Sequence, residues 1–176
     1  QSDTDSHLWQ YCPQYNGYVA STYLKHVSGS IYPEGSFKLV PKCSPESAIA
    51  VQGRSYYSGT KIWLWELHED EGCQTFWFQP VQATDTGEIY YAIINERSGL
   101  ALDIDMSTCN LIQYQPHYGA NQLFKLVNVS NGYYRIESML GYSIDIQAGG
   151  KENGTDVMIW YNDNSDNAQL FRLIKQ

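Results

Sequence analysis

Basic residues are scarce in this chain: 11 Lys and Arg stand against 19 Asp and Glu, for a net charge of −8. A surface of that sign repels phosphate backbones and anionic lipid headgroups, so neither nucleic acid nor heparin is expected as a partner. Long apolar runs are also missing. No stretch approaches the roughly 18–20 residues that a membrane-spanning helix requires, so membrane insertion is not expected. No basic-then-apolar leader stands at the N-terminus, and a first residue Gln1 fits a leader already removed. Stretches of Ala, Leu, Glu and Lys at helical spacing are absent too, while Tyr reaches 15 beside five Trp and five Phe. That balance favours strands. The 176 residues suit one domain with a real core, and a 43% hydrophobic content is enough for burial to offset chain entropy.

Cysteine is sparse as well. Cys12, Cys43, Cys73 and Cys109 lie far apart, form no C-x-x-C pair and have no His at zinc-ligand spacing, so no metal is expected. An even count permits two disulfides in any of three connectivities, with buried free thiols as the alternative. The acceptor sequences Asn128-Val-Ser130 and Asn153-Gly-Thr155 agree with a secreted, extracellular protein. Catalytic signatures are missing: there is no G-x-S-x-G, no H-E-x-x-H, no phosphate-binding loop and no dinucleotide fingerprint. Neither enzymatic activity nor a cofactor is expected. The acidic loop NDNSDN (162–167) lacks the ligand spacing and closing Glu of a calcium loop.

What the chain does have is a repeat. The segments QTF (74–76), QLFK (122–125) and QLFR (169–172) place Gln74, Gln122 and Gln169 at separations of 48 and 47 residues. Before each glutamine runs an apolar segment that ends in an aromatic: KIWLW at Trp65, NLIQY at Tyr114 and VMIW at Trp160. Upstream of these lie SAIAV (47–51), LALDI (100–104) and YSIDI (142–146), and before those SFKLV (36–40), YYAII (90–94) and YYRIE (133–137). With the Gln-containing segments, that makes four short strands per repeat. Their connections, such as GRSYYSGT (53–60) and AGGKENGT (148–155), have turn composition. The middle repeat has a shortened loop around Met106 to Asn110, the kind of change a hairpin loop tolerates. Twelve strands in three units suit a closed barrel capped by hairpins.

The pattern of Gly, then L-D-I or I-D-I, then a strand ending in an aromatic, then N-Q-x-aromatic resembles the ricin B-type β-trefoil lectins and their Q-x-W repeat. The resemblance covers residues 35–176, divided into repeats 35–82, 83–128 and 129–176, and leaves 1–34 as an aromatic-rich extension. The chain departs from the family pattern in carrying Phe76, Phe124 and Phe171 where the family has Trp, and in lacking the paired cysteines within a repeat. The resemblance implies an all-β trefoil that binds galactose or N-acetylgalactosamine on glycoproteins or glycolipids. One repeat at a time would supply an acid for vicinal hydroxyls, an aromatic plate for the sugar's C–H face and an amide. In the middle repeat these fall on Asp103, Tyr114 and Asn121, with Gln122 adjacent, and His117 borders them. In the third they fall on Asp145 and Trp160, with Gln169 adjacent. Ala168 stands at the amide position there, so Asn167 would have to reach in from one residue earlier. The first repeat has Ala50 for the acid and Cys73 for the amide, and reads as a structural copy with Trp65 a core or surface aromatic.

Because the glutamine persists in the repeat that lost its acid, Gln74, Gln122 and Gln169 read first as structural residues holding strand backbone. Phe76, Phe124 and Phe171 read as core. Two alternatives stand beside the lectin reading. One is a cell-binding subunit of a larger toxin or enzyme, with residues 1–34 docking a partner chain. The other is a protein-binding β-trefoil such as a protease inhibitor, which would not need acid, aromatic and amide in register in two repeats.

Overall fold

Alternating apolar residues become strands along the chain, because a period of two puts one face of each segment into a core. A computed structural model describes the backbone strands β1 (Trp9–Cys12) and β2 (Gly17–Ala20), and residues 33–69, 72–83 and 86–176. β1 and β2 pair antiparallel. The expected docking role of residues 1–34 falls almost wholly outside the described residues.

Each repeat contributes four strands. The first has β3 (Ser36–Pro41), β4 (Ser47–Val51), β5 (Thr60–Glu66) and β6 (Thr75–Gln82). The second has β7 (Ile89–Asn95), β8 (Ala101–Ile104), β9 (Leu111–Tyr114) and β10 (Phe124–Ser130). The third has β11 (Tyr133–Ser138), β12 (Ser143–Ile146), β13 (Val157–Trp160) and β14 (Leu170–Lys175). The first and last strands of the repeats pair in the cycle β3–β6–β7–β10–β11–β14 and back to β3, all antiparallel. This closed ring removes the exposed edges that an open sheet would carry.

The middle strands form the hairpins β4–β5, β8–β9 and β12–β13. They cap one end of the ring and touch each other in turn: Lys61 pairs with Ile112, Asn110 with Met158 and Trp63 with Asp156. Equivalent residues of the three repeats fill the interior. Phe76, Phe124 and Phe171 are buried, as are Leu39, Ile93 and Ile136 in the first strands and Ile49, Leu102 and Ile144 in the second. The chain is thus an all-β trefoil of three four-stranded units.

Two expectations need correction. Cys43 is a half-buried thiol and Cys109 an exposed one at a hairpin tip, so two disulfides do not form among the four cysteines. The glutamines do not lie in strands either. Gln74 and Gln122 close short 3-10 turns just before β6 and β10, and all three side chains grip the loop that follows the third strand of their repeat.

Candidate functional site

The loop after each third strand leaves backbone groups that no ladder satisfies, and a buried amide takes them up. Gln74 accepts the N–H of His68 and donates to the carbonyls of Trp65 and Glu66 at 3.3 and 2.8 Å. Gln122 accepts from the N–H groups of His117 and Tyr118 and donates to the Gln115 carbonyl. Gln169 accepts from Asp163 and donates to Tyr161. This clamp is common to all three repeats. In two of them it does more: Gln122 also donates to Asp103 Oδ2 at 2.6 Å, and Gln169 to Asp145 Oδ2 at 2.9 Å.

The middle repeat assembles the fullest constellation. Hairpin register places Asp103 opposite Ile112 and Ala101 opposite Tyr114, so Asp103 and Tyr114 share the outer face. Leu102, Ile104 and Leu111 take the inner face and are buried. Asp103 itself is only 4% exposed. Its Oδ1 accepts from Asn121 Nδ2 at 2.7 Å, and its Oδ2 accepts from Gln122 and lies 3.2 Å from His117 Nε2. Because His117 Nδ1 accepts the Gly119 N–H at 3.1 Å, Nε2 carries the ring hydrogen and donates to the carboxylate. An ionised carboxylate accepts about four hydrogen bonds, so three protein donors leave room for about one more. Tyr114 stands 45% exposed beside this acceptor, with the His117 ring edge-on at 6.4 Å. Gly119 keeps the loop narrow, since a Cβ there would sit 2.9 Å from the His117 ring and from Asn121 Oδ1. The sequence-derived set Asp103, Tyr114, Asn121 and Gln122 therefore converges, with His117 as a full member.

The third repeat repeats the pattern with one loss. Asp145 lies opposite Met158 and Ser143 opposite Trp160, which puts acid and aromatic on one face, and Trp160 is 55% exposed. Asn167 does not complete the set. Ala168 occupies the buried position that an amide would need, and Asn167, one residue back, faces solvent while its backbone carbonyl accepts the Cys43 N–H. No hydrogen bond joins its side chain to Asp145. Asp166 stands near instead, where it accepts the Ala168 N–H. Burial pushes the Asp145 carboxyl above its ordinary value; the Gln169 hydrogen bond pulls it down and the Asp166 charge adds to the rise. Tyr161 and Tyr142, which the sequence reading passed over, extend the aromatic surface beside Trp160 with ring centroids 5.6 Å apart. They face a groove of about 360 Å³ between the second and third repeats, bordered by Met106 and Cys109.

The first repeat is not a filled-in copy. In β4–β5, Ala50 lies opposite Trp63 and Ala48 opposite Trp65. The two tryptophans stack with centroids 4.7 Å apart and planes 23° apart. With Ala50, Arg54, Cys73 and Gln74 they line a cavity of about 250 Å³. The two-residue spacing in KIWLW was the available signal, since it sends Ile62 and Leu64 inward and Trp63 and Trp65 to the face that carries Asp103 and Asp145 in the other repeats.

A family model described as a ricin-type beta-trefoil lectin domain-like domain matches residues 72–160. Similar solved structures include ThreeFoil, a designed threefold symmetric protein, at 26% identity and a TM-score of 0.71, with 81% of this chain and 100% of that one covered. An exo-beta-1,3-galactanase from Clostridium thermocellum is 28% identical with a TM-score of 0.71, covering 84% of this chain but 31% of the galactanase. The C-half of an earthworm R-type lectin, solved in complex with GalNAc, has a TM-score of 0.63 over 81% of this chain and 99% of its own. At 14% identity it shows a shared fold alone. No curated protein sequence matches the chain.

Proposed function

Because the chain belongs to the ricin-type beta-trefoil lectin domain-like family, we propose that it is a non-catalytic carbohydrate-binding module with sugar sites in its second and third repeats. The observation that carries this reading is the Asp103 carboxylate, fixed by Asn121, Gln122 and His117 yet left with acceptor capacity beside the exposed Tyr114. A pyranose stacks its C–H face on Tyr114 and donates a hydroxyl to Asp103, and Asn121 trades part of its bond to the acid for a neighbouring hydroxyl. The protein donors hold the acid in place before the sugar arrives, so little ordering is lost on binding. Asp145 and Trp160 do the same in the third repeat with fewer polar partners. The ligand is galactose or N-acetylgalactosamine at the ends of glycoprotein or glycolipid chains, and the protein acts outside the cell, where such glycans are displayed.

The chain spans 31% of the galactanase that it matches. A role as the sugar-binding part of a longer protein is therefore the second reading, and it uses the same sites.

Calorimetric titration with methyl galactoside and with N-acetylgalactosamine tests the proposal. One shallow site gives a Kd on the order of 0.1–1 mM, about −4 to −5.5 kcal/mol. In an Asp145→Ala background, Asp103→Ala removes a charge-assisted hydrogen bond and weakens the remaining binding by about tenfold or more. Binding of neither sugar by the folded protein, with mannosides bound instead, would overturn the specificity; galactoside binding undisturbed by both substitutions would overturn the sites.

A further inference from the structure

We propose that the first repeat holds a third binding site, built on Trp63, Trp65 and Arg54, whose ligand is a sugar bearing a carboxylate, such as a hexuronate. The cavity lies where the other two repeats place Asp103 and Asp145, but its polar chemistry is reversed. Ala50 replaces the acid and Cys73 replaces the amide, so among the described residues the lining side chains offer no charged acceptor to sugar hydroxyls. Gln74 uses both amide hydrogens on the Trp65 and Glu66 carbonyls and therefore adds no donor. What remains is Arg54, a donor with no acceptor capacity, on the wall of a pocket whose aromatic surface is doubled: Trp63 stands where Ile112 and Met158 stand in the other repeats.

A guanidinium only donates and so favours a ligand that accepts, and a carboxylate answers it with two parallel hydrogen bonds. The ring of such a sugar supplies the C–H face that stacks on indole. Arg54 also engages other groups of the protein. Its five N–H donors allow it to serve such a group and a carboxylate together. Arg54 is held at φ +57°, in the left-handed region, where the matching turn of the third repeat has Gly149 at φ +64°. The net charge of −8 opposes polyanions, but at physiological salt it is screened beyond about 8 Å, so a single carboxylate in contact with Arg54 responds mainly to the guanidinium. Glu66, the nearest acid along β5, lies 3.7 Å from the His68 ring.

The test is a titration of the full chain carrying Asp103→Ala and Asp145→Ala, which removes the acids of the other two repeats. Methyl glucuronide and methyl galacturonide are compared with methyl glucoside and N-acetylglucosamine, and the change in tryptophan fluorescence, to which Trp63 and Trp65 contribute two of five indoles, is read against the same titration of a Trp63→Phe variant. The uronides should quench or shift the emission with millimolar affinity, at least tenfold tighter than the neutral sugars. Arg54→Gln, an exposed substitution outside the core, should remove that preference by about tenfold or more while leaving galactoside binding of the otherwise unsubstituted chain unchanged. Ala50→Asp, which restores the acid of the other repeats, should abolish uronide binding by repulsion. Equal response to uronides and neutral sugars, no response at tens of millimolar, or a preference that survives Arg54→Gln would each overturn the proposal. The sites of the second and third repeats are absent from this background, so its failure would leave them untouched.

Discussion

Gln122 uses all of its hydrogen-bonding capacity inside the protein: two N–H groups reach its oxygen, and its own two hydrogens go to Asp103 and the Gln115 carbonyl. Gln122→Ala leaves several buried groups unpaired at once, each costing about 1–3 kcal/mol, so the loss should be on the order of 3 kcal/mol. Urea denaturation measures it, and a loss within 0.5 kcal/mol, the usual scatter of an exposed surface substitution, would show that the clamp is dispensable. Asp145 makes a different prediction, because burial and the nearby Asp166 hold its carboxyl above the ordinary 3.8 in spite of the Gln169 bond. As pH rises, the unfolded chain ionises this group first, and the folded chain keeps its proton longer. Asp145 therefore contributes stability that is fully present below about 3.8 and is lost as pH rises through the elevated folded value. The sugar binding proposed at the third repeat should run the other way, since its acceptor is the ionised form and affinity should fall on acidification through the same window. Carbon-13 NMR of the Asp145 carboxyl, with galactoside titrations of Asp103→Ala at several acid pH values, checks both. A carboxyl that titrates at or below 3.8 would remove the argument.

Strands and hairpins were the most legible level. SAIAV at 47–51 and VMIW at 157–160 coincide with β4 and β13, because alternation of apolar residues is a direct record of which face enters the core. The glutamines were placed in strands because QLFK and QLFR read as one apolar segment. Only the turn geometry shows that β10 and β14 begin after them. Asp103, Tyr114 and Asn121 could be read in register and His117 as a residue bordering them, but not its bond to the acid, and Arg54 could not be read at all. Their placement depends on loops that bring residues 14 apart in sequence to 3.2 Å, or that set Arg54 on the wall of a pocket lined by two aromatics from another strand. Asn167 misled because a one-residue shift in a loop turns a side chain from site to solvent. The phenylalanines that stand for the family's tryptophans make the element-scale prediction. Phe124 is buried at the base of β10 and packs in the same cluster as Leu102 and Ile136. Phe124→Ala should cost about 3–5 kcal/mol through the cavity it leaves, and Phe124→Leu less. Denaturant midpoints of the two variants decide it, and an alanine variant no less stable than the leucine one would show that the ring fills no core.

At the scale of the whole molecule, closure of the six-stranded ring sets three hairpins around one end of the barrel, so equivalent sites face outward in different directions. On the proposed reading, a ligand on one site would not block its counterpart in another repeat, and a surface crowded with glycans would engage two at once. Linking two weak sites in this way raises overall binding by about 10²–10⁴ over one site without any new contact. Asp103→Ala removes the acceptor of the middle repeat and Asp145→Ala that of the third. Neither side chain belongs to the apolar core, so each variant should keep its fold. Each should bind free galactoside at its remaining site with the affinity that site has in the parent chain, yet be retained on a galactoside-coated surface at least tenfold less, because the second attachment is gone. The double variant should pass over that surface unbound, while a surface bearing hexuronate should still hold it through the first repeat. Surface plasmon resonance on the two coatings, with circular dichroism to confirm the β signal of each variant, makes the comparison. Retention of the folded double variant on the galactoside surface at parental strength would mean that neither carboxylate carries the binding, and that the aromatic groove beside Tyr142 and Tyr161 is the place to look for it.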